Sequence, residues 1–473
     1  MSIIPGKPPL LLPVENQVRE LDSKILLACI AARRGFPSYI GFRREMHFNI
    51  TRFPRSIYLS KSITAASDMM FRIMRNLGHK IVAWDEEALV HLPAETYYSR
   101  RLSPSAMKHV SHLFAWGEDN ALLWRQYPYL PKNAIIHVTG NPRNDLLRPE
   151  LHAYYDSEVA KITKTYGDFI LVNTNFNHVN AFTLVQNLFQ PSRKAGEIPQ
   201  FGRAAKGMSR EYAEGLRDHK KAIFEDFQRM IPALDKMFPD YNIVVRPHPT
   251  ESQMIYHDIA ARCRRVRVTN EGNVVPWLLA TKALVHNSCT TGVEAYVMGV
   301  PAITYRASVN ETYDFGFYRL PNLISHSCFN IAELERVLKN ILNGKLGSAG
   351  GNDRRRIIEQ YLAAQEGPLA CERIIDVLED VVKGRAELPK PGIGGQITGR
   401  SLWSVRTLIK RYKDSRPGSH NRPEFQRHRY PEVSLRDMKE RASRFQQLLG
   451  YNNELTVKPF LGQFFELTPD VRI

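Results

Sequence analysis

A strand-like run, Asn242-Ile243-Val244-Val245, leads into Arg246-Pro247-His248-Pro249, and this segment has the clearest capacity for chemistry in the chain. In open α/β sheets ligands gather at the carboxyl ends of strands, where His248 would project. Its flanking prolines fix the backbone, so the imidazole is aimed at little entropic cost. The plainer reading is a rigid turn carrying an exposed histidine. Further along, Val285-His286-Asn287-Ser288-Cys289-Thr290-Thr291-Gly292-Val293-Glu294-Ala295 reads as a strand ending at His286 and a helix starting around Thr291. The N–H groups of a helix start, with the hydroxyls of Ser288, Thr290 and Thr291, make a phosphate cradle. An ordinary Ser/Thr N-cap has the same sequence. Its pairing with the Arg-Pro-His-Pro strand favours a nucleotide.

Three adjacent carboxylates, Asp85, Glu86 and Glu87, follow the apolar run Ile81–Trp84. Adjacent acids repel, so a cluster facing a cleft has one member with a raised pKa, poised for proton transfer or nucleophilic attack. The alternative is a solvated helix start, which acids also suit. Val138-Thr139-Gly140-Asn141-Pro142-Arg143-Asn144-Asp145 is a strand running into a turn. The planar fork of Arg143 suits a carboxylate or phosphate, unless the turn merely ends a domain. Glu15, Arg19 and Glu20 sit on the first loop and helix; an intrahelical ion pair accounts for Arg19 and Glu20 nearly as well as an acceptor site does. Asn173-Thr174-Asn175 either lines a cleft or caps the next segment.

Strands alternating with helices must position these residues. Leu10–Val14, Ser38–Ile40, Ser56–Leu59, Lys80–Trp84, Leu113–Trp116 and Ile135–Thr139 read as strands, with helical patterns up to Arg34 and over Ser62–Leu77. The pattern restarts at Phe169–Asn173 and continues through an irregular stretch, a helix over Arg210–Phe238, and strands at Asn242–Arg246, Arg265–Thr269, Ala283–His286 and Pro301–Tyr305. Helices at Ile331–Leu342, Arg354–Ala364 and Leu369–Val382 would close this second domain. The expected domains are therefore 1–150, 151–385 and an extension, 386–473, each of the first two an α/β unit with a parallel sheet covered on both faces. Residues 386–400, rich in Pro and Gly, read as a linker. After it come a basic amphipathic helix over Leu402–Tyr412, a Pro/Arg-rich stretch, and foldable segments at Ser434–Leu449 and Leu455–Leu467.

With 473 residues the chain is long for one core. A net charge of +17 points to anionic partners. Residues 381–473 carry eighteen Lys/Arg against nine Asp/Glu, so about half of the surplus lies in the tail. There Leu402, Trp403, Val405, Leu408, Ile409 and Tyr412 are interleaved with Arg400, Arg406, Lys410, Arg411 and Lys413, the pattern of a helix lying on an anionic membrane surface or packed on the first domain. No aromatic-interleaved basic motif supports nucleic-acid binding. Five scattered cysteines suggest neither a zinc site nor a disulfide framework and fit a cytoplasmic setting. No apolar stretch reaches the ~20 residues of a membrane span, so membrane contact would be peripheral. No Asp-x-Asp pair outside the acidic cluster is set for Mg²⁺, and neither metal nor cofactor is expected.

Arg-Pro-His-Pro, then His-Asn-Ser-x-x-Thr-Gly-x-Glu-Ala and Met-Gly-Val-Pro-Ala, resembles the nucleotide domain of GT-B enzymes that use CMP- or CDP-activated donors, over roughly residues 9–380. The likeness is strongest to the surface carbohydrate biosynthesis proteins related to capsular and lipopolysaccharide Kdo transferases and CMP-sialic acid transferases. It implies two Rossmann-like domains facing across a cleft. It also implies donor-phosphate contacts from His248, Ser288, Thr290 and Thr291 within a motif that includes Asn287 and Gly292, with Arg246 beside the departing CMP. Glu294 would hold ribose hydroxyls. The acidic cluster resembles the Asp/Glu-Asp/Glu-Gly motif of CMP-sugar transferases, with Ala88 in place of glycine, and this makes Asp85 or Glu86 catalytic. Arg143 falls in a turn similar to the Gly-Asn-x-Lys/Arg-x-Asp of Kdo transferases. Asn175 would line the donor side, Glu15 and Arg19 the acceptor. The implied reaction moves a nonulosonic acid, foremost Kdo, from CMP to a glycan or lipid-linked glycan, without metal and with retention favoured. The rivals are a CDP-glycerol-type glycerophosphotransferase and a non-catalytic scaffold of a polysaccharide assembly complex.

Overall fold

Leu10–Val14 (β1) is buried at every position, as a strand covered on both faces must be. The computed structural model of the chain describes residues 7–191, 198–316, 319–383, 385–415, 430–451 and 455–469. β1 pairs in parallel with β2 (Ser38–Phe42) and β3 (Ile57–Ser60), and the sheet continues through β4 (Lys80–Ala83), β5 (His112–Ala115) and β6 (Ile135–Val138). The Gln17–Arg33 helix, buried along most of its length, packs on this sheet and on the Ala370–Val382 and Leu435–Leu448 helices.

The second sheet holds β7 (Phe169–Thr174), β8 (Asn242–Pro247), β9 (Val266–Val268), β10 (Ala283–His286), β11 (Ala302–Tyr305) and β12 (His326–Cys328), all parallel, in the order β12-β11-β10-β7-β8-β9. Alternation along its strands builds two cores, one on each face. Ile170, Val172, Val245, Val285 and Ile303 meet Phe227 and Ile231 of the Arg210–Met237 helix. Phe169, Leu171, Val244 and Leu284 meet Trp277 and Ala295. The fold is thus α/β, with two Rossmann-like parallel sheets, as expected.

The chain divides into two compact units, residues 1–89, 101–146 and 359–473 in the first, and 90–100 with 147–358 in the second. This differs from the sequence reading in three places. The Ala370–Val382 helix, expected to close the second domain, belongs to the first unit, where the Asp145 carboxylate accepts the amides of Ala370 and Cys371, each at 2.8 Å. Residues 90–100 leave the first unit because Leu92 packs with Leu188, Ala205 and Leu216 of the second. The expected linker over 386–400 is partly helical: the Ile393–Asp414 helix begins inside it, capped by Gly392. A Cβ on Gly399 would lie 3.0 Å from Asn76 Cβ and 3.1 Å from Leu77, so this glycine is there for close approach to the Asp68–Asn76 helix.

The C-terminal extension is likewise part of the first unit. Its hairpin, β13 (Leu455–Phe460) and β14 (Phe464–Pro469), joins the first sheet through antiparallel pairing of β14 with β2. The Pro/Arg-rich stretch of the sequence reading falls largely on 416–429, outside the described residues. Among the described residues no helix is long and apolar enough to cross a membrane.

Candidate functional site

In the second unit the strand order reverses between β7 and β10, whose following helices pack on opposite faces, and the carboxyl ends at such a reversal are where doubly wound sheets bind ligands. The two ends are tied together there: Asn287 Oδ1, just past β10, accepts the Asn175 amide, just past β7, at 2.9 Å. Beneath them His286 is fully buried; its Nδ1 accepts the Ser288 amide at 3.1 Å and its Nε2 lies 2.9 Å from Ser325 Oγ. Burial pushes its pKa down to about 3, so it is a neutral platform. Ser288 above it has φ +65, a left-handed conformation that costs a non-glycine residue of order 1 kcal/mol or more and clusters at ligand sites.

Gly292 completes the turn, since a Cβ there would lie 2.5 Å from His286 Nε2. Gly292→Ala must displace the imidazole from its two partners. We expect it to cost about 1–3 kcal/mol, the range of overpacking, read as a lower urea midpoint. An unchanged midpoint would show that the turn has slack.

At the end of β8, half-buried His248 donates its amide to Thr174 O at 3.0 Å. Its Nδ1 faces the Thr250 amide at 3.2 Å and the Thr250 hydroxyl at 2.8 Å. A backbone N–H can only donate, so Nδ1 is the acceptor and the proton of the neutral ring sits on Nε2. That makes Nε2 a donor suited to an anionic oxygen.

Two expectations change. Arg246 does not point to a ligand: its guanidinium donates to the carbonyls of Glu271 (2.7 Å) and Gly272 (3.2 Å) and lies over Trp277 at 4.6 Å, which makes it a brace for that loop. The Thr291–Val297 helix is only seven residues long, and the amides of Gly292, Val293 and Glu294 bond to the carbonyls of Cys289 and Thr290. The expected open row of helix N–H groups is therefore largely turned inward, and Thr291 Oγ1 lies 2.5 Å from Cys289 Sγ. Ser288 is buried, Thr290 and Thr291 are half-exposed, and Glu294 sits one turn in, also buried.

Sequence reasoning missed Lys220 and Glu251. Glu251 accepts from Thr174 Oγ1 and the Phe176 amide, each at 3.0 Å, and from Tyr256, joining the β7 and β8 ends. Lys220 is 1% exposed, in register with Ala213, Leu216, Ile223 and Phe227 on the buried face of its helix. A basic residue at an apolar position of a helical pattern was the available signal. Burial lowers its pKa to about 7, against the opposing pull of Cys289, Glu251 and Asp314. Burial likewise takes His178 down to about 3, with Lys220, Arg100 and His248 adding to the effect, so four basic groups share this edge.

The unfolded chain holds the Lys220 proton up to about pH 10.5, whereas the folded chain releases it near pH 7, so its contribution destabilises fully below pH 7 and fades as pH rises to 10.5. Lys220→Met is expected to raise Tm at pH 7, with the gain shrinking towards pH 10. A variant less stable at pH 7 would show a net stabilising ion pair instead.

In the first unit the carboxyl ends of β1, β3, β4 and β6 gather the other candidates, and each acid is paired with at least one cation. Asp85 is fully buried; Arg101 clamps both carboxylate oxygens, with Nε 3.0 Å from Oδ2. Glu86 is 4% exposed and accepts Trp84 Nε1 at 2.8 Å, with Lys24 Nζ at 3.8 Å and Arg143 Nη1 at 3.6 Å. Burial pushes this carboxyl up, but Lys24, Arg143, Lys61 and the Trp84 N–H outweigh it and hold it well below the usual range. The expected repulsion that raises one pKa is therefore absent here, because cations from distant segments intervene. Glu87 is the exposed member, paired with Arg19 at 3.0 Å. Arg19 thus bonds across to Glu87, and Glu20 is buried and holds Lys61 and the Glu15 amide. Glu15 lies 3.3 Å from both Arg43 and Lys61. Buried Lys24, 3.7 Å from the Trp84 ring and depressed to about 8 by burial, was also missed.

No family profile and no curated protein matches the chain. Among solved structures it is similar to the UDP-GlcNAc 2-epimerase of Methanocaldococcus jannaschii (12% identity, covering 79% of this chain and 99% of that one, TM-score 0.47). It is similar to another UDP-N-acetylglucosamine 2-epimerase (12%, 82% and 99%, TM-score 0.49). The wall teichoic acid polymerase TagF is similar as well (12%, 87% and 91%, TM-score 0.44). These neighbours are enzymes, two of them acting on a nucleotide sugar. At such identities and TM-scores the likenesses carry no argument about activity, and the functional reading rests on the chain's own residues.

Proposed function

We propose that this protein is a glycosyltransferase that moves a nonulosonic acid, foremost Kdo, from its CMP-activated donor to a glycan or lipid-linked glycan of a surface polysaccharide. It would work in the cytoplasm at the inner face of the inner membrane. The observation that carries the reading is the reversal of strand order between β7 and β10, where Asn287 bonds Asn175 and the strained Ser288 turn stands on His286. His248 ends the neighbouring strand β8 with its proton on Nε2. This is a set of short polar groups at the place where doubly wound sheets bind nucleotides, carried by motifs that resemble those of CMP-sugar enzymes.

The bond between the anomeric carbon and the CMP phosphate breaks, and CMP leaves as an anion. His248 Nε2–H and the Ser288 and Thr290 hydroxyls donate to that phosphate, and such stabilisation of developing charge is expected to contribute most to the rate. Glu294 holds the ribose. Glu87, the exposed acid of its cluster, is the carboxylate assigned to the sugar. With retention a carboxylate attacks the anomeric carbon as CMP departs, and the acceptor oxygen then displaces that carboxylate, which takes up the acceptor's proton. Asp85 and Glu86 serve as anchors for Arg101, Lys24 and Arg143.

Binding of CMP alone tests the site. CMP at a hundred times its Kd should stabilise the fold by about 2.7 kcal/mol, and Asn287→Ala should lose most of that shift. If CMP leaves Tm unchanged, the nucleotide reading fails and a non-catalytic scaffold is the better account.

A further inference from the structure

We infer that the Ile393–Asp414 helix docks this protein onto an anionic lipid bilayer, with its outer face in the headgroup layer. The inference gives the proposed membrane placement a surface and does not depend on the identity of the donor.

The helix has two faces. The inner one packs on the first unit: Gly399 and Thr407 are buried, Trp403 Nε1 donates to His47 O at 3.2 Å, and Asp414 pairs with Arg44. Trp403, which the sequence placed in the apolar stripe, therefore belongs to the fold. The outer face carries Ile393, Ile397, Val405, Leu408, Ile409 and Tyr412, between 49% and 79% exposed. At ~100° per residue they fall within an arc of about 160°. Elsewhere among the described residues, exposed large apolar side chains are mostly scattered, which is ordinary for a protein surface. Six on one face of a single helix are not.

Charge selects the occupant. The helix carries Arg400, Arg406, Lys410, Arg411 and Lys413 against a single acid, Asp414, and that acid is already paired with Arg44. On the helical wheel Arg400 and Arg411 border one side of the apolar arc and Lys413 the other. Arg416, Arg422, Arg427 and Arg429 follow in the sequence with one acid, Glu424. Lys410 falls between Gly399 and Trp403 on the wheel and faces the fold, so Arg400, Arg411 and Lys413 are the cations beside the apolar arc, Arg411 and Lys413 being exposed. Anionic headgroups meet these bordering cations while the acyl boundary takes up the apolar arc, which is how interfacial helices bind.

The test is co-sedimentation of the full chain with vesicles of phosphatidylcholine containing a quarter phosphatidylglycerol, and with phosphatidylcholine alone. Binding is expected to the anionic vesicles at low salt, at least ~10-fold weaker to neutral ones, and to fall with salt as exposed charges are screened. Leu408→Glu/Ile409→Glu, at exposed positions, should lose at least ~10-fold in binding with Tm unchanged. Leu408→Trp gives a second readout that leaves the helix apolar: its emission should shift to the blue on anionic vesicles and be quenched by brominated lipid. A wild type that stays in the supernatant at low salt overturns the inference. So does emission from the Leu408→Trp variant that is indifferent to vesicles, or a dimer in solution that the double glutamate variant dissolves without any effect on vesicle binding.

Discussion

His248→Ala lowers transfer by at least ~10²-fold, the loss that follows removal of one preorganised donor from developing charge. The side chain is half-buried and its ring is held by Thr250, two residues away in the same turn, so the fold should be kept. The loss should fall mainly on kcat, because a contact that strengthens as CMP becomes an anion is worth more in the transition state than in the bound donor. Thr250→Val is the informative companion. It removes the hydroxyl but keeps the backbone N–H that fixes the tautomer, so it should cost much less. Normal turnover in His248→Ala would remove the histidine from the site.

Glu87→Gln is expected to cut transfer by ~10²–10⁴-fold, the span of a carboxylate working directly on the reacting groups, while CMP binding and Tm stay near wild type. Asp85→Asn should behave in the opposite way. It breaks a clamp around a fully buried carboxylate, and losing one partner of such a pair costs ~3–5 kcal/mol, here at the low end because Arg101 keeps 28% exposure. Its main symptom is therefore a lowered Tm. Should Glu87→Gln be active while Glu86→Gln is folded and dead, the role returns to Glu86.

The strands were legible because their signal is local. Short local patterns mark β1 to β11, whereas β12, His326–Cys328, has three residues and only Cys328 fully buried, too little pattern to read. Proline and glycine at 386–400 misled the reading because the fit of Gly399 against Asn76 and Leu77 is tertiary. The same limit applied to the sites. His248, Asn287 and Ser288 stand at strand ends that periodicity can locate. The state of the acidic cluster depends on Arg19, Lys24, Arg101 and Arg143, which arrive from other segments, Arg19 lying 68 positions from Glu87. Arg246 carried the right residue type in the right motif, and only its packing on Trp277 shows it to be a brace. Lys220 was hidden by its own helix, where charged residues usually face water.

Transfer from a CMP-activated sugar is tested most directly by incubating the full chain with CMP-Kdo and, separately, with CDP-glycerol, and following release of CMP by chromatography. The expected result is CMP release from CMP-Kdo, accelerated by a suitable glycan acceptor and reduced at least ~10²-fold in His248→Ala, with CDP-glycerol left intact. CMP released from CDP-glycerol and not from CMP-Kdo would contradict it and establish attack at phosphorus.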